Sequence, residues 1–362
     1  MAMIIWFIAF ISLFALSVLF HELGHFIFSK IAGIKVYEFS IGLPFIPRLA
    51  TVFEYKETKF TLKIIPVGGF ISYTPIDRKE SESLYDFLKY DSWRKLMATL
   101  GGPIFNFLFA YILVAVIMMQ GTYVPSMEIE DIIPESQAAL KGLQKKDILA
   151  AFNDINVNDW EILKEIIVKN GQNPLKISYK RNNVMYETYI TPDFDQKRQE
   201  VQLGIAPAYI FYQYSFSEAL QKSSNFMKKI FIGFFDLIKK MMGGKASPKD
   251  FSGPVGIAKI TKKAMDKGNK TYWMLLAFFS INLGIINLLP LPALDGGQLI
   301  AYTIETVTRR TFSLKVHQIF GMLGMLVILS IMLLVMYSDI LTYWFSKGLQ
   351  RSSQALNKNL SK

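Results

Sequence analysis

Four long apolar runs divide the chain, and shorter stretches between them alternate polar and apolar positions. Met3 to Phe20 carries no charge, and apolar character resumes at Phe26-Ile27-Phe28 after a brief polar interruption. A run of this length can cross a bilayer as a helix, so the first span is expected over about residues 3–29. A second run covers about Leu96 to Met119, a third about Tyr272 to Leu294, and a fourth about Ile319 to Trp344.

The intervening stretches differ in kind. Phe60, Leu62 and Ile64 alternate with Thr61 and Lys63, and Pro66-Val67-Gly68-Gly69-Phe70 then turns the chain. Period-two alternation followed by a breaker predicts a hairpin or β-loop over Tyr55 to Tyr73. It would be either a plain surface hairpin or an edge strand able to pair with an extended peptide. From Tyr123 to about Ala206 the pattern is that of a water-soluble domain, with strands at Leu175–Tyr179 and Val184–Ile190. Its stretch from Ile133 to Leu143, continued by Lys146-Asp147-Ile148-Leu149 and Asn153-Asp154, resembles a bacterial PDZ domain. Next, Phe226, Ile230, Phe234 and Ile238 recur at helical spacing among Lys228, Lys229, Lys239 and Lys240. A basic amphipathic helix of this kind suits a membrane surface or packing against a neighbouring domain.

Composition supports a membrane protein: 51% of residues are hydrophobic, and the mean hydropathy is +0.28. The net charge of +11 does not point to nucleic acid, because the lysines flank apolar runs, where anionic lipid is the natural partner. The first Lys or Arg is Lys30, after the first run, so a cleaved signal peptide is not expected. Lys30 and Lys35 put that end of the span on the cytoplasmic side by the positive-inside rule. There are no cysteines, so any metal must use His, Asp or Glu.

The chemistry concentrates in His21-Glu22-Leu23-Gly24-His25, at the end of the first run. Residues four apart share a helix face, so both imidazoles can reach one ion, with Glu22 free as a base. Ionisable groups at membrane depth are costly, which makes a functional site the default reading. Catalytic zinc takes three protein ligands and leaves a place for water. The matching third ligand is Asp295, the one charged residue between Tyr272 and Glu305, delivered by the third run to the same side. His317, at the start of the fourth run, is expected to be surface or interfacial. Alone, an HExxH is a common chance pattern and an Asp before Gly-Gly is usually a turn residue. Their conjunction in apolar runs at one depth is what carries weight.

With Gly102-Pro103 and Asn106 in the second run, Ser252-Gly253-Pro254-Val255-Gly256-Ile257, and Asn287 to Gly297, these segments fall in a recognisable order. The chain resembles the site-2-protease family of intramembrane zinc metalloproteases, in its bacterial RseP-like branch. The resemblance implies zinc ligands His21, His25 and Asp295, with Glu22 as general base. It also implies substrate-handling roles for Asn282, Asn287 and the β-loop, including Gly68 and Gly69. Some members carry two PDZ domains, whereas one is evident here.

The expected fold is a membrane protein of four transmembrane α-helices, with a membrane-associated β-loop and an inserted α+β PDZ-like domain. A membrane core occupies 1–120, with spans at about 3–29 and 96–119 and the β-loop at about 55–73. The PDZ-like, extracytoplasmic domain takes 121–208, an amphipathic membrane-surface segment 209–271, the second part of the core 272–346, and a basic tail 347–362. The expected activity is zinc-dependent cleavage of transmembrane segments in single-span proteins, anti-sigma factors or remnant signal peptides, at a bacterial inner membrane. A zinc-binding transporter or receptor is the alternative, but it would want further acidic or histidine residues along a path across the bilayer. A structural adaptor would leave the buried polar cluster unexplained.

Overall fold

Helix α1 (Ala2–Ile31) takes the first apolar run whole and continues through His21 and His25 without a break. Its 30 residues extend about 45 Å at 1.5 Å per residue. The computed structural model describes residues 2–42, 46–65, 68–75, 83–195, 200–245 and 253–360. Pro66, Val67 and Ser252, named in the motifs above, lie outside them.

After Gly33 (φ +72°) the chain leaves the helix and builds a small sheet from β1 (Glu38–Ile41), β2 (Arg48–Tyr55), β3 (Thr58–Lys63) and β4 (Gly69–Ser72). The order is β2-β3-β1-β4, with β1 parallel to β3 and antiparallel to β4. This corrects the expected loop over 55–73. The hairpin is β2–β3, turning at Lys56 (φ +53°), and β3 and β4 are separated by β1, too short for periodicity to reveal. The phase differs too, since Thr61 and Lys63 are buried while Ile64 is exposed. Thr61 Oγ1 donates to Glu38 Oε1 at 2.6 Å, and Arg48 Nη2 donates to the same oxygen at 3.3 Å. Phe60 instead meets Phe26 of α1 and Phe39 of β1, with ring centroids 5.5 and 5.6 Å away. Among the described residues, strand β4 ends the sheet as an edge.

Helices α2 (Ser83–Leu88) and α3 (Ser92–Met119) follow. Helix α3 starts before the apolar run because its first turn has a partner: Ser92 Oγ and Lys95 Nζ each donate to Glu305 Oε2 at 2.8 Å.

The chain divides into two units, one of Met1–Ile117 with Phe216–Lys362 and one of Met118–Ser215. The second contains β5 (Thr122–Ile132), α4 (Gln137–Leu140), β6 (Ile148–Phe152), β7 (Ile155–Asn156), α5 (Trp160–Asn170), β8 (Leu175–Arg181), β9 (Val184–Ile190), β10 (Asp193–Asp195), β11 (Glu200–Gln202) and β12 (Ile205–Tyr212). Its main sheet runs β12-β5-β6-β8-β9, with β7 on β6. The sequence explains its joints. Ser136 Oγ caps α4 and Asp159 caps α5, and Asn153 and Asp154 take the positive φ of the tight turn between β6 and β7. Ile129, Phe152, Leu163, Leu175, Ile177 and Ile190 form the core. This unit reaches beyond the expected 121–208 because β12 pairs with β5 as far as Tyr212 opposite Thr122. Residues 209–212 are therefore strand, not amphipathic helix.

Among the described residues, the first unit continues with helices α6 (Phe216–Met242), α7 (Pro254–Asp266), α8 (Asn269–Asn287), α9 (Asp295–Thr308) and α10 (Leu314–Leu360). The expected amphipathic segment is thus α6 and α7. Helix α6 leaves Phe216, Ile232 and Phe235 exposed. Helix α7 instead lies against α1, where Trp6 Nε1 donates to Ala258 O at 3.2 Å. The third run does not form one helix to Leu294. Helix α8 ends at Asn287, three residues before Pro290, and α9 starts afresh at Asp295, since proline cannot supply the N–H a continuing helix needs. Among the described residues, three helices are long and apolar enough to cross a membrane: Ile5–Ile31, Ser92–Met119 and Leu314–Tyr337.

Candidate metal centre

One helix crossing and one tight turn assemble the site. Helix α1 presents His21 and His25 one turn apart, and small residues let α3 close on them. A Cβ on Gly24 would collide with Gly101 O, and one on Gly102 would lie 2.5 Å from His25 Nε2 and 2.7 Å from His21 Cε1. The turn after α8 brings up the third group. Leu289 N donates to Ile286 O and Leu294 N donates to Leu291 O, both at 3.0 Å. A Cβ on Gly296 would collide with Leu289 O, and one on Gly297 with Leu291 O. The paired glycines therefore let α9 begin against its own preceding turn, with Asp295 at its first position, where helix N–H groups favour a carboxylate.

His21 Nε2 lies 3.1 Å from His25 Nε2 and 3.1 Å from Asp295 Oδ2, while His25 Nε2 is 3.4 Å from that oxygen. Among the described residues, these three side chains form the group whose ligand atoms converge, all within 4.8 Å of one another. Asp295 Oδ2 is buried and makes no hydrogen bond despite those neighbours. The donor set fits zinc. Nitrogen and oxygen ligands at about 2.0–2.1 Å around a tetrahedral ion stand about 3.3–3.4 Å apart, close to the three spacings found. The outer nitrogen of His25 agrees as well. Its Nδ1 is 2.9 Å from Ala98 O, and a carbonyl only accepts, so Nδ1 carries the proton and Nε2 keeps its lone pair for a metal. Asn106, fully buried, lies 3.2 Å from His21 Nδ1.

Glu22 is on the same turn, beside the sheet. A Cβ on Gly69 would come within 3.1 Å of Glu22 Cγ, so the first residue of edge strand β4 touches the candidate base. Gly68 adopts φ +82°, and its carbonyl accepts from Gly42 N at 2.9 Å. The other expected substrate residues are less engaged with the centre. Asn282 Nδ2 donates to Phe278 O of its own helix at 2.8 Å, and Asn287 is the last residue of α8. His317, expected to be surface or interfacial, is not part of the converging group. Its side chain is 9% exposed, with Nε2 3.2 Å from Glu305 Oε1. The Lys95–Glu305 pair that recruits it joins residues 210 apart in sequence, a relationship no local pattern announces.

Residues 9–331 match the model of peptidase family M50. A protein of Clostridium acetobutylicum, named by inference as a zinc metalloprotease, is 30% identical over 328 residues, covering 90% of this chain and 95% of that protein. One from Campylobacter jejuni with the same kind of name is 30% identical, covering 92% and 93%. The zinc metalloprotease RasP of Bacillus licheniformis is 28% identical, covering 92% and 98%. A crystal structure of a PDZ domain from an SdrC-like protein of Listeria innocua is 18% identical, covering 25% of this chain and 99% of that one with a TM-score of 0.22.

Proposed function

The chain belongs to peptidase family M50, and we propose that it cuts single-span membrane proteins at the His21–His25–Asp295 centre, with Glu22 as the base. It is an intramembrane zinc metalloprotease of the site-2 type, acting on membrane-protein substrates in a lipid bilayer. The observation that carries the residue assignment is the convergence of two Nε2 atoms and Asp295 Oδ2, with that buried oxygen lacking a hydrogen bond.

His21, His25 and Asp295 would hold zinc, which when bound supplies a Lewis acid that polarises the scissile carbonyl and lowers the pKa of an attacking water. Glu22 accepts that water's proton and returns it to the leaving nitrogen. A helical substrate shields its own peptide bonds, so it must unwind locally. The edge that β4 forms among the described residues, which begins at Gly69 beside Glu22, would pair with the extended segment by strand addition. Asn282 and Asn287, on the helix leading to Asp295, would bond its exposed backbone, Asn282 by releasing Phe278 O.

Four spans best accommodate this scheme. Helix α8, at 19 residues, is about 28 Å long, close to the roughly 30 Å hydrocarbon core, and would join the three longer helices. The HExxH end of α1 then faces the cytoplasm, and the unit Met118–Ser215 lies outside a bacterial inner membrane. The exposed Leu49, Val52, Phe53 and Tyr55 of β2 suit association of the sheet with lipid. We read the unit Met118–Ser215 as a PDZ-like filter that admits pre-trimmed substrates, anti-sigma factors or remnant signal peptides among them.

The test compares wild type, Glu22→Gln and Asp295→Ala in liposomes on single-span substrates, with zinc content measured. Glu22→Gln should keep zinc and lose cleavage, whereas Asp295→Ala should lose zinc. Equal cleavage by wild type and Glu22→Gln would sink the mechanism. Zinc binding without cleavage in wild type would favour a transporter or receptor instead.

A further inference from the structure

We propose that Asn106 is a positioning residue for His21: its Oδ1 accepts from the imidazole Nδ1–H, and Ser280 locks the amide in that orientation. The inference rests on His21 being a zinc ligand. Asn106 and Ser280 are both fully buried, so neither side chain faces bulk solvent. As placed, Asn106 Nδ2 faces His21 Nδ1 at 3.2 Å and Asn106 Oδ1 faces Ser280 Oγ at 3.3 Å. The oxygen and nitrogen of an amide are alike in shape, and the network around them decides which is which.

Proton counting decides it here. Ser280 Oγ also lies 3.0 Å from the backbone oxygen of Asn106. In the placed orientation one hydroxyl proton faces two acceptors and serves only one of them well. An Nδ2 donating to His21 Nδ1 would also put the imidazole proton on Nε2, the atom aimed at His25 Nε2 and Asp295 Oδ2. Exchanging the two amide atoms resolves both conflicts. Ser280 Oγ–H donates to Asn106 O, Asn106 Nδ2–H donates to Ser280 Oγ, and His21 Nδ1–H donates to Asn106 Oδ1. His21 Nε2 is then a lone pair pointing into the centre.

The two imidazoles are thereby held in one tautomer by different means. His25 uses a main-chain acceptor, Ala98 O, which no single substitution removes. His21 depends on a side chain from α3, itself locked by a serine from α8. The outer partner of a ligating histidine fixes ring orientation and raises ligand basicity, and its loss costs about 10–100-fold in metal affinity.

The test measures zinc affinity by chelator competition on the full chain in detergent, for wild type, Asn106→Ala, Asn106→Asp and Ser280→Ala, with cobalt(II) spectra alongside. Asn106→Ala should weaken zinc by about 10–100-fold and alter the cobalt spectrum. Asn106→Asp, whose carboxylate only accepts, should stay close to wild type, and Ser280→Ala should fall between. If Asn106→Asp loses as much as Asn106→Ala while both unfold at the wild-type temperature, Asn106 is a donor or a packing residue and the proposal is overturned. Ring nitrogen NMR of zinc-loaded wild type, with three histidines to resolve, needs no variant. It should find His21 protonated and slowly exchanging at Nδ1, and a bare Nδ1 overturns the proposal. Wild-type zinc affinity in His21→Ala would instead defeat the ligand assignment, which the Asn106 variants do not address.

Discussion

Gly24 and Gly101 meet backbone to backbone where α1 crosses α3: a Cβ on either would collide with the carbonyl oxygen of the other. Without a side chain on either helix the axes approach closely, as small residues allow in membrane helix packing. The rings of His21 and His25 then fall on Gly102 rather than on a side chain. The spacing of the centre therefore depends on α3 as much as on the HExxH motif of α1.

Gly102→Ala separates the two roles of this crossing. Its methyl would sit 2.5 Å from His25 Nε2, displacing the rings while leaving the Gly24–Gly101 contact intact. Zinc content should fall sharply with little change in unfolding temperature. Gly101→Ala strikes the crossing itself, so it should lose zinc and also about 1–3 kcal/mol of stability through overpacking. Zinc measurements paired with thermal unfolding in detergent check the contrast.

Substitution at Gly69 should uncouple metal binding from turnover. A Cβ there would approach Glu22 Cγ to 3.1 Å and Ser40 O to 3.2 Å, and it would stand at the start of the β4 edge. Gly69→Val is expected to retain zinc and to cut cleavage by at least tenfold, with Gly69→Ala milder. Cleavage assays with metal content measured on the same preparations decide it.

Metal removal should register in stability as well as activity. A ligand that binds only the folded state stabilises it by about 2.7 kcal/mol at 100 times its dissociation constant. Wild type should lose cleavage and several degrees of unfolding temperature on chelation and recover both with zinc. Asp295→Asn keeps the size of the side chain but gives up the anionic ligand, so chelator and added zinc should leave its unfolding temperature unmoved.

Much of this was legible in the sequence because the informative residues are chemically out of place in it. Charged groups inside apolar runs marked His21, Glu22, His25 and Asp295, and helical period or run length gave α1, α3 and α6. Strand β1 escaped because four residues are too few to show a period. The third run stays apolar through Leu294, but Pro290 and Pro292 remove backbone donors there, and the helix ends at Asn287. Asn106 stood out as polar, but its partners could not be read: Ser280 is 174 residues away and His21 is 85, and only the crossing of three helices joins them.

The Lys95–Glu305 pair supplies the last prediction. Lys95 and Glu305 have side chains 1% and 0% exposed and stand 2.8 Å apart. Glu305 also accepts from Ser92 Oγ and Phe312 N at 2.8 Å each, so this one carboxylate ties the start of α3 to α9 and to the approach to α10. Burial alone would raise its pKa. The Lys95, Phe312 and Ser92 hydrogen bonds outweigh that and hold it below the ordinary glutamate value. A carboxyl with a depressed folded pKa stabilises above its unfolded pKa, and that contribution is lost as pH falls through the folded one. Removing one partner leaves the other charge buried, which typically costs about 3–5 kcal/mol. Lys95→Met should therefore destabilise strongly at neutral pH, and the loss should shrink on acidification as Glu305 takes a proton. Lys95→Met with Glu305→Leu should recover much of the loss, because neither charge is then stranded. Thermal unfolding of the single and double variants across neutral and acid pH checks this. A double variant no more stable than Lys95→Met would show that the cluster acts by shape rather than by charge pairing.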